Sequence, residues 1–276
     1  MKYIIFGLLA QLLSLSAFAA TYTTQIHSVD RGKAEEKYLI FLSNGYTAFV
    51  EGQQKNLIEA VEESQKKEDT VKIRLDDKLN LMSIQTVTPE LEEPSTEPGP
   101  GGMTSYDPTI LSDSEAYSAF RNMRRDYQNN SQCYNRAHIW NYEEFNNSGL
   151  KSNKLYLFFT SRYIRKYNYK WWFHVTPMVY VNGSEQSNWR TLDRRYTRGP
   201  LTTRTWTNVF MLNNSFCPVV FKYSSYRSHQ QEEDCFLIPT SMYFWQPRDI
   251  ERQERTGYVK DRFYRNEVGH AYWEAF

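Results

Sequence analysis

Three residues, Cys133, His174 and Asp193, have the types and the chain order that cysteine-dependent acyl transfer requires. In such chemistry the thiol is the nucleophile, and the imidazole takes up its proton and later returns it. The carboxylate holds the imidazole in one orientation and one tautomer. The sequence therefore predicts a catalytic triad, provided that the fold brings these residues together.

The residues around Cys133 predict that it lies at the start of a helix. A polar segment, 129–132, precedes it, and the helical pattern extends to about Asn146, before a stop signal that ends at Gly149. The sulfur would then lie at the positive end of the helix dipole, which favours thiolate over thiol. We expect Ser131 to be the N-cap. Free cysteine is often only a small buried hydrophobe, so this position alone is weak evidence.

His174 and Asp193 fall on two predicted strands that form a hairpin. Residues 170–181 and 189–193 have strand character, and the segment 182–184 between them has turn character. A two-residue turn at Gly183 and Ser184 would place His174 directly opposite Asp193. A longer loop would make them diagonal neighbours, still within reach of each other.

The N-terminus has the pattern of an export signal. An apolar run follows Lys2, and Ala17-Phe18-Ala19 is typical of a signal-peptidase site, so residues 1–19 are expected to be removed. The sequence has three cysteines. If the protein is exported to an oxidising compartment, two of them should form a disulfide. Cys217 and Cys235 lie close together in sequence and are the natural disulfide, which leaves Cys133 as a free thiol. We therefore expect a secreted or periplasmic protein.

Composition divides the remaining chain into two parts. Residues 1–112 contain 10 Lys and Arg against 16 Asp and Glu, a net charge of −6, whereas residues 113–276 have a net charge of +7. Between them lies a segment rich in Pro, Gly and Glu, which cannot form a core. We predict a small α+β domain at residues 20–88, a linker at 89–111 and a catalytic domain at 112–276.

The motifs around the three candidate residues resemble those of bacterial protein-glutaminases. The resemblance rests on Cys-Tyr-Asn-Arg-Ala-His at 133–138, Trp-Phe-His-Val-Thr-Pro at 172–177 and Leu-Asp at 192–193. It implies an α+β fold related to papain-like proteases and transglutaminases, in which the helix that bears the cysteine packs on an antiparallel sheet. It also implies an N-terminal pro-region that blocks the active site, a role for residues 20–88.

The reaction that the resemblance implies is deamidation of glutamine side chains in proteins or peptides. Cys133 would form a γ-glutamyl thioester with release of ammonia, and His174 would activate the water that hydrolyses it. The Cys133 amide is the first candidate for the oxyanion hole. A transglutaminase or a cysteine protease with the same triad is the nearest alternative. We expect no cofactor and a monomeric enzyme.

A binding module is the competing class. A set of basic residues interleaved with Tyr and Trp would suit an anionic envelope surface. These are Arg121, Arg124, Arg125, Arg162, Arg165, Lys166, Lys170, Arg194, Arg195 and Arg198. Export and the lack of a nucleic-acid motif argue against nucleic acid, and the same charges suit acidic protein substrates. His138, Asn135 and Arg136 are predicted to be structural. His229 and His270 lack the spacing of metal ligands, so we expect no zinc site.

Overall fold

Two mainly antiparallel sheets, one from each half of the sequence, organise the fold. The computed structural model describes residues 20–32, 36–88, 107–257 and 265–276. The predicted signal segment, 1–19, and most of the predicted linker, 89–106, lie outside the described residues. Helices pack with both sheets, so the expected α+β class with antiparallel sheets is confirmed. Within the described ranges, no helix combines the length and apolar character needed to span a membrane.

The N-terminal sheet has five strands and one covering helix. Its strand order is β3-β2-β1-β4-β5. The elements are β1 (Ala20–Asp30), β2 (Lys37–Leu42), β3 (Thr47–Glu51), α1 (Lys55–Lys67), β4 (Thr70–Leu75) and β5 (Leu81–Thr86). The pattern of the sequence predicts the two hairpins and the helix, but it misses the central strand β1. This strand is mostly polar and only partly buried, so it lacks the apolar signal of the other strands.

The C-terminal sheet has six strands, in the order β10-β9-β8-β7-β11 with β6 paired in parallel to β8. The elements of this half are β6 (Ile110–Leu111), α2 (Asp113–Asn122), α3 (Cys133–Ser148), β7 (Asn153–Phe159), α4 (Ser161–Tyr167), β8 (Phe173–Val181), β9 (Trp189–Thr191), β10 (Leu201–Thr202), α5 (Thr203–Phe210), α6 (Tyr223–Ser228), β11 (Cys235–Ser241), α7 (Pro247–Thr256) and α8 (Arg265–Ala275). Strands β7 and β8 form the centre and are almost wholly buried, because helices and the N-terminal sheet cover them.

Helix α3 packs against β8 and so brings the first predicted site residue to the strand that bears the second. Most of its middle is buried, from Tyr134 to Asn141, which is unusual for a helix with so many polar residues. Polar partners explain the burial: Asn141 donates to Ser152, and Lys154 Nζ lies 2.6 Å from His138 Nδ1. Gly149, at φ 71°, ends the helix in the left-handed conformation.

The two sheets share one hydrophobic core. Phe41 of the N-terminal sheet belongs to the same buried cluster as Trp172 and Phe173 of the C-terminal half. Trp172 is fully buried and donates from Nε1 to the carbonyl of Leu42 at 2.7 Å, while His27 stacks on its ring at 4.6 Å. Since Trp172 immediately precedes β8, the N-terminal sheet fixes the start of the strand that carries His174.

Backbone hydrogen bonds reinforce this junction. The Trp172 amide donates to the Gly45 carbonyl at 3.0 Å, and the Thr47 amide donates to the Lys170 carbonyl at 2.9 Å. Tyr46 and Trp171 are thereby paired in an antiparallel bridge. The turn between β2 and β3 therefore meets the C-terminal half through main-chain pairing as well as side-chain packing.

One disulfide joins Cys217 to Cys235, at the start of β11, and closes a loop of 18 residues in sequence separation. Cys133 is a free cysteine of intermediate exposure. The bond ties the segment after α5 to the edge strand of the C-terminal sheet, which lowers the conformational entropy of the unfolded chain.

Replacing Phe41 by Ala should destabilise both halves of the protein together. The ring lies in the core shared by the two sheets, so its loss should lower the free energy of unfolding by about 3–5 kcal/mol. Chemical denaturation followed by tryptophan fluorescence and circular dichroism measures the effect. Met82→Ala is the matched control, because Met82 is 58% exposed on β5 and should change stability by under about 0.5 kcal/mol. Separate unfolding transitions for the two halves would contradict a shared core.

Candidate active site

His174 and Asp193 meet in the interior of the C-terminal half. His174 Nε2 lies 2.7 Å from Asp193 Oδ2, and both residues are buried, at 3% and 1% exposure. The short distance between buried groups identifies a charge-assisted hydrogen bond when the imidazole is protonated. This arrangement fixes the ring orientation of His174 and leaves Nδ1 for another partner.

The hairpin register differs from the prediction. Met178 pairs with Thr191 and Tyr180 with Trp189, so the strands are offset by two residues from the predicted pairing of His174 with Asp193. The cause is a longer connection, which includes a 3-10 turn at Gln186–Asn188 in place of a two-residue turn. Asp193 lies beyond the end of β9, and its contact with His174 is therefore the diagonal one.

Trp206 belongs to the site through a contact that the sequence did not predict. Its indole Nε1 donates to Asp193 Oδ2 at 2.9 Å, and its side chain is fully buried. The same carboxylate oxygen thus accepts from both His174 and Trp206. Trp206 lies on α5, a helix that the pattern missed because it is short and contains three threonines. Only the fold reveals the contact with Asp193.

Aromatic rings surround the imidazole of His174. The ring centroid of Phe210 lies 4.2 Å away, that of Tyr196 5.3 Å and that of Trp171 6.3 Å. Phe210 is buried, but Tyr196 is 40% exposed and Trp171 is only partly buried. The site is therefore apolar on its inner side and opens to solvent near Tyr196 and Trp171.

Cys133 is the first residue of α3 and is partly exposed. Its side chain lies close enough to His174 to raise the pKa of the imidazole. The predicted cap is wrong: Gln132 is the N-cap and makes no side-chain capping bond. Ser131 instead donates to the Gln128 carbonyl and accepts from Arg136, so it stabilises the turn before the helix.

The surroundings of His174 act on its pKa in opposite directions. Burial alone lowers the pKa, but the charge of Asp193 and the hydrogen bond to it, together with the hydrogen bond and charge of Cys133, raise it from 6.5 to about 9. His174 is therefore an imidazolium at neutral pH, held between a carboxylate and a sulfur. This is the protonation state in which it can donate a proton to a leaving group.

The other histidines predicted to be structural or peripheral lie away from this pair. His138 is buried against Lys154, and His229 is in contact with the Ser225 carbonyl. His270 lies on α8. Among the residues that the structure describes, no three His, Cys, Asp or Glu side chains form a group that could hold a metal ion.

One known family is similar to this part of the chain. The sequence model of the glutaminase family matches residues 111–210, a segment that contains Cys133, His174 and Asp193. This segment of the chain is similar to the glutaminase family. The expected resemblance and the expected enzyme class, a hydrolase that deamidates glutamine, are confirmed by this match.

The glutaminase segment and its surroundings also match solved structures at low identity. A crystal structure of pro-protein-glutaminase is 15% identical, covers 91% of this chain and 90% of its own chain, and gives a TM-score of 0.49. The NMR structure of protein-glutaminase from Chryseobacterium proteolyticum is 15% identical, covers 59% of this chain and 85% of its own, and gives a TM-score of 0.35. No curated protein matches the chain in sequence.

The imidazole of His174 in the glutaminase segment should titrate with a midpoint near pH 9. Because this pKa lies above the ordinary value of 6.5, protonated His174 stabilises the fold fully below pH 6.5, and the contribution is lost as pH rises through 9. Asp193→Asn removes the main stabilising charge and should lower the midpoint by at least about one unit. NMR titration of the imidazole carbons measures both values.

His27 provides the internal control for this titration. Burial lowers its pKa to about 3, with help from Arg248 and Arg227, so its signal should stay constant between pH 5 and 10. A His174 midpoint near 6.5 in the unmodified protein would mean that Asp193 and Cys133 only offset the effect of burial, and it would contradict the raised pKa.

Proposed function

We propose that this protein deamidates glutamine side chains in proteins or peptides through a Cys133-His174-Asp193 triad. The observation that carries the proposal is the buried His174, whose Nε2 lies 2.7 Å from Asp193 Oδ2 and whose pKa is raised by both Asp193 and Cys133. The glutaminase family match across these three positions supports the choice of substrate group. The fold that this triad implies is the papain- and transglutaminase-like one, in which a cysteine helix packs on an antiparallel sheet.

The first half of the reaction forms a thioester. The Cys133 thiolate attacks the amide carbon of the glutamine side chain, and the tetrahedral oxyanion lies near the first amides of α3. The Cys133 amide is our candidate donor, because amides at the start of a helix have no intrahelical acceptor. His174 then donates its proton to the nitrogen, and ammonia leaves.

The second half hydrolyses the thioester. His174, now neutral, takes a proton from water, which attacks the carbonyl carbon and releases glutamate. Asp193 stays ionised and holds the imidazole throughout, with Trp206 fixing the position of its carboxylate. The aromatic residues Phe210, Tyr196 and Trp171 limit the access of water to one side of the ring.

The decisive experiment measures ammonia and product mass with a glutamine-containing protein as substrate. Deamidation increases the mass by about one unit at each site and releases one ammonia. Cys133→Ala should reduce the rate by roughly 10⁴-fold or more, because the nucleophile is lost. Cys133→Ser is the control for the change of size in Cys133→Ala, because it replaces only the thiol by a hydroxyl. Crosslinked products would indicate a transglutaminase, peptide fragments a protease, and ammonia release that survives in Cys133→Ala would refute the triad.

We also propose that residues 20–88 form an inhibitory pro-domain and that the protein is exported. The pairing of Tyr46 with Trp171, whose ring lies beside His174, supports a position of this domain near the active site. The apolar N-terminal run and the disulfide support export, with mature protein beginning at Ala20 or Thr21.

Cleavage of the linker should raise ammonia release only once the N-terminal fragment has separated. The two halves share a core and backbone hydrogen bonds, so the cut fragments should remain together on size-exclusion chromatography. A protease site inserted between residues 94 and 101 allows the test, and intact mass of the exported protein defines its first residue. Equal activity of intact and separated enzyme would contradict an inhibitory role.

A further inference from the structure

A cavity of about 360 Å³ lies in the C-terminal half and has four arginines in its wall: Arg124, Arg125, Arg194 and Arg195. Its volume is within the range of ordinary ligand pockets, roughly 300–1,000 Å³. The proposed deamidation mechanism does not use it. So many guanidinium groups around one small space repel one another, and such a site is stabilised when an anion enters it.

Local carboxylates compensate only one of these charges. Arg124 pairs with Asp126 at 2.8 Å and with Glu143 at 3.0 Å. Among the residues that the structure describes, no carboxylate forms an ion pair with Arg125, Arg194 or Arg195. Arg195 donates only to the neutral side-chain oxygen of Asn129, at 3.3 Å. The wall of the cavity therefore carries an excess of positive charge.

Arg194 is the arginine of this cavity whose charge and hydrogen-bonding groups are least well compensated. Its guanidinium lies over the Phe120 ring at 4.7 Å, and its Nε is buried without a hydrogen-bond partner in the described part of the chain. Burial lowers its pKa, and the nearby charges of Arg125 and Arg121 lower it further. A buried donor on a charged group is costly unless an acceptor is supplied, and a bound anion would relieve the repulsion among its neighbours.

The cavity adjoins the candidate active site through a short segment of chain. Arg195 and Thr197 line the cavity, and Tyr196 between them faces the His174 ring at 5.3 Å. Arg194 and Arg195 directly follow Asp193. A peptide whose glutamine reaches the sulfur of Cys133 would thus have neighbouring residues close to the arginines.

We propose that this cavity binds the carboxylate of an Asp or Glu side chain that lies near the target glutamine in the substrate. The inference rests on the proposed function, because a protein substrate supplies anions as carboxylates. The planar guanidinium fork matches a carboxylate with two parallel hydrogen bonds. A concave site of this size suits one or two side chains rather than an extended polyanion, which requires a long basic groove. The enzyme therefore selects glutamines in acidic sequence contexts.

Binding tests the site without catalysis. The Cys133→Ser protein, both full-length and with the N-terminal fragment removed, is titrated into two fluorescent ten-residue peptides, each with one central Gln, flanked by Glu in one and by Ser in the other, at 0.15 M salt. The Glu peptide should bind about tenfold more tightly, the effect of one charge-assisted hydrogen bond. The Arg125→Gln/Arg195→Gln variant should reduce this ratio to about two or less.

Two further variants separate local recognition from general charge and from misfolding. Arg255→Gln changes one charge on α7, outside the cavity, and should keep the tenfold ratio. Arg195→Glu should reverse the preference, so that a Lys-flanked peptide binds better than the Glu-flanked one. A misfolded variant would not gain such a preference. Equal binding of the Glu and Ser peptides, or a ratio unchanged in the double variant, overturns the proposal.

Ammonia release from the same peptides, measured with separated enzyme, distinguishes this proposal from the proposed function. A Glu preference in binding without ammonia from any peptide would refute the deamidase and keep the carboxylate site. Ammonia release with equal kcat/KM for both peptides would support the deamidase and refute the site.

Discussion

The buried carboxylate of Asp193 is the constraint on which the rest of the candidate site depends. A charged group with 1% exposure is tolerated only when it is paired, and here His174 and Trp206 both donate to the same oxygen. These donors come from different elements, β8 and α5, so the carboxylate joins a strand to a helix that the chain reaches only later. The orientation of the His174 imidazole therefore depends on how α5 packs relative to β8.

The N-terminal sheet also constrains the position of His174, through the residues that precede it on the chain. Trp172 lies two residues before His174 in the sequence. Its indole donates to the Leu42 carbonyl and stacks on the His27 ring, and its neighbour Phe173 packs in the shared core. Strand β8 is thus fixed at its start by the N-terminal sheet and in its middle by α3. Any movement between the two halves would be transmitted to His174 over a very short distance.

Residue types and chain order predict more of this site than pairing rules do. The candidate residues, and the strand and helix that carry two of them, follow from the pattern, because apolar alternation and helix stop signals are local. The register of β8 with β9 depends on the length of the loop between them, and the 3-10 turn at Gln186–Asn188 has no strong signal. The roles of Ser131 and Trp206 depend on partners distant in space, Arg136 and Asp193, which the local pattern does not show. The sequence pattern does not predict strand β1, because its central position comes from pairing with β2 and β4 and not from apolar side chains of its own.

The junction at Trp172 has a consequence for what remains after the two halves part. A fragment without the N-terminal sheet would present a bare indole, the Phe173 ring and unpaired main-chain groups of residues 170–172 to water. Such a surface favours association with other chains, and the Trp171 ring on it lies 6.3 Å from the His174 ring. We therefore expect a freed C-terminal half either to self-associate or to bind polypeptides through this newly exposed face. In the second case, removal of the N-terminal sheet would also expose a docking surface for substrates.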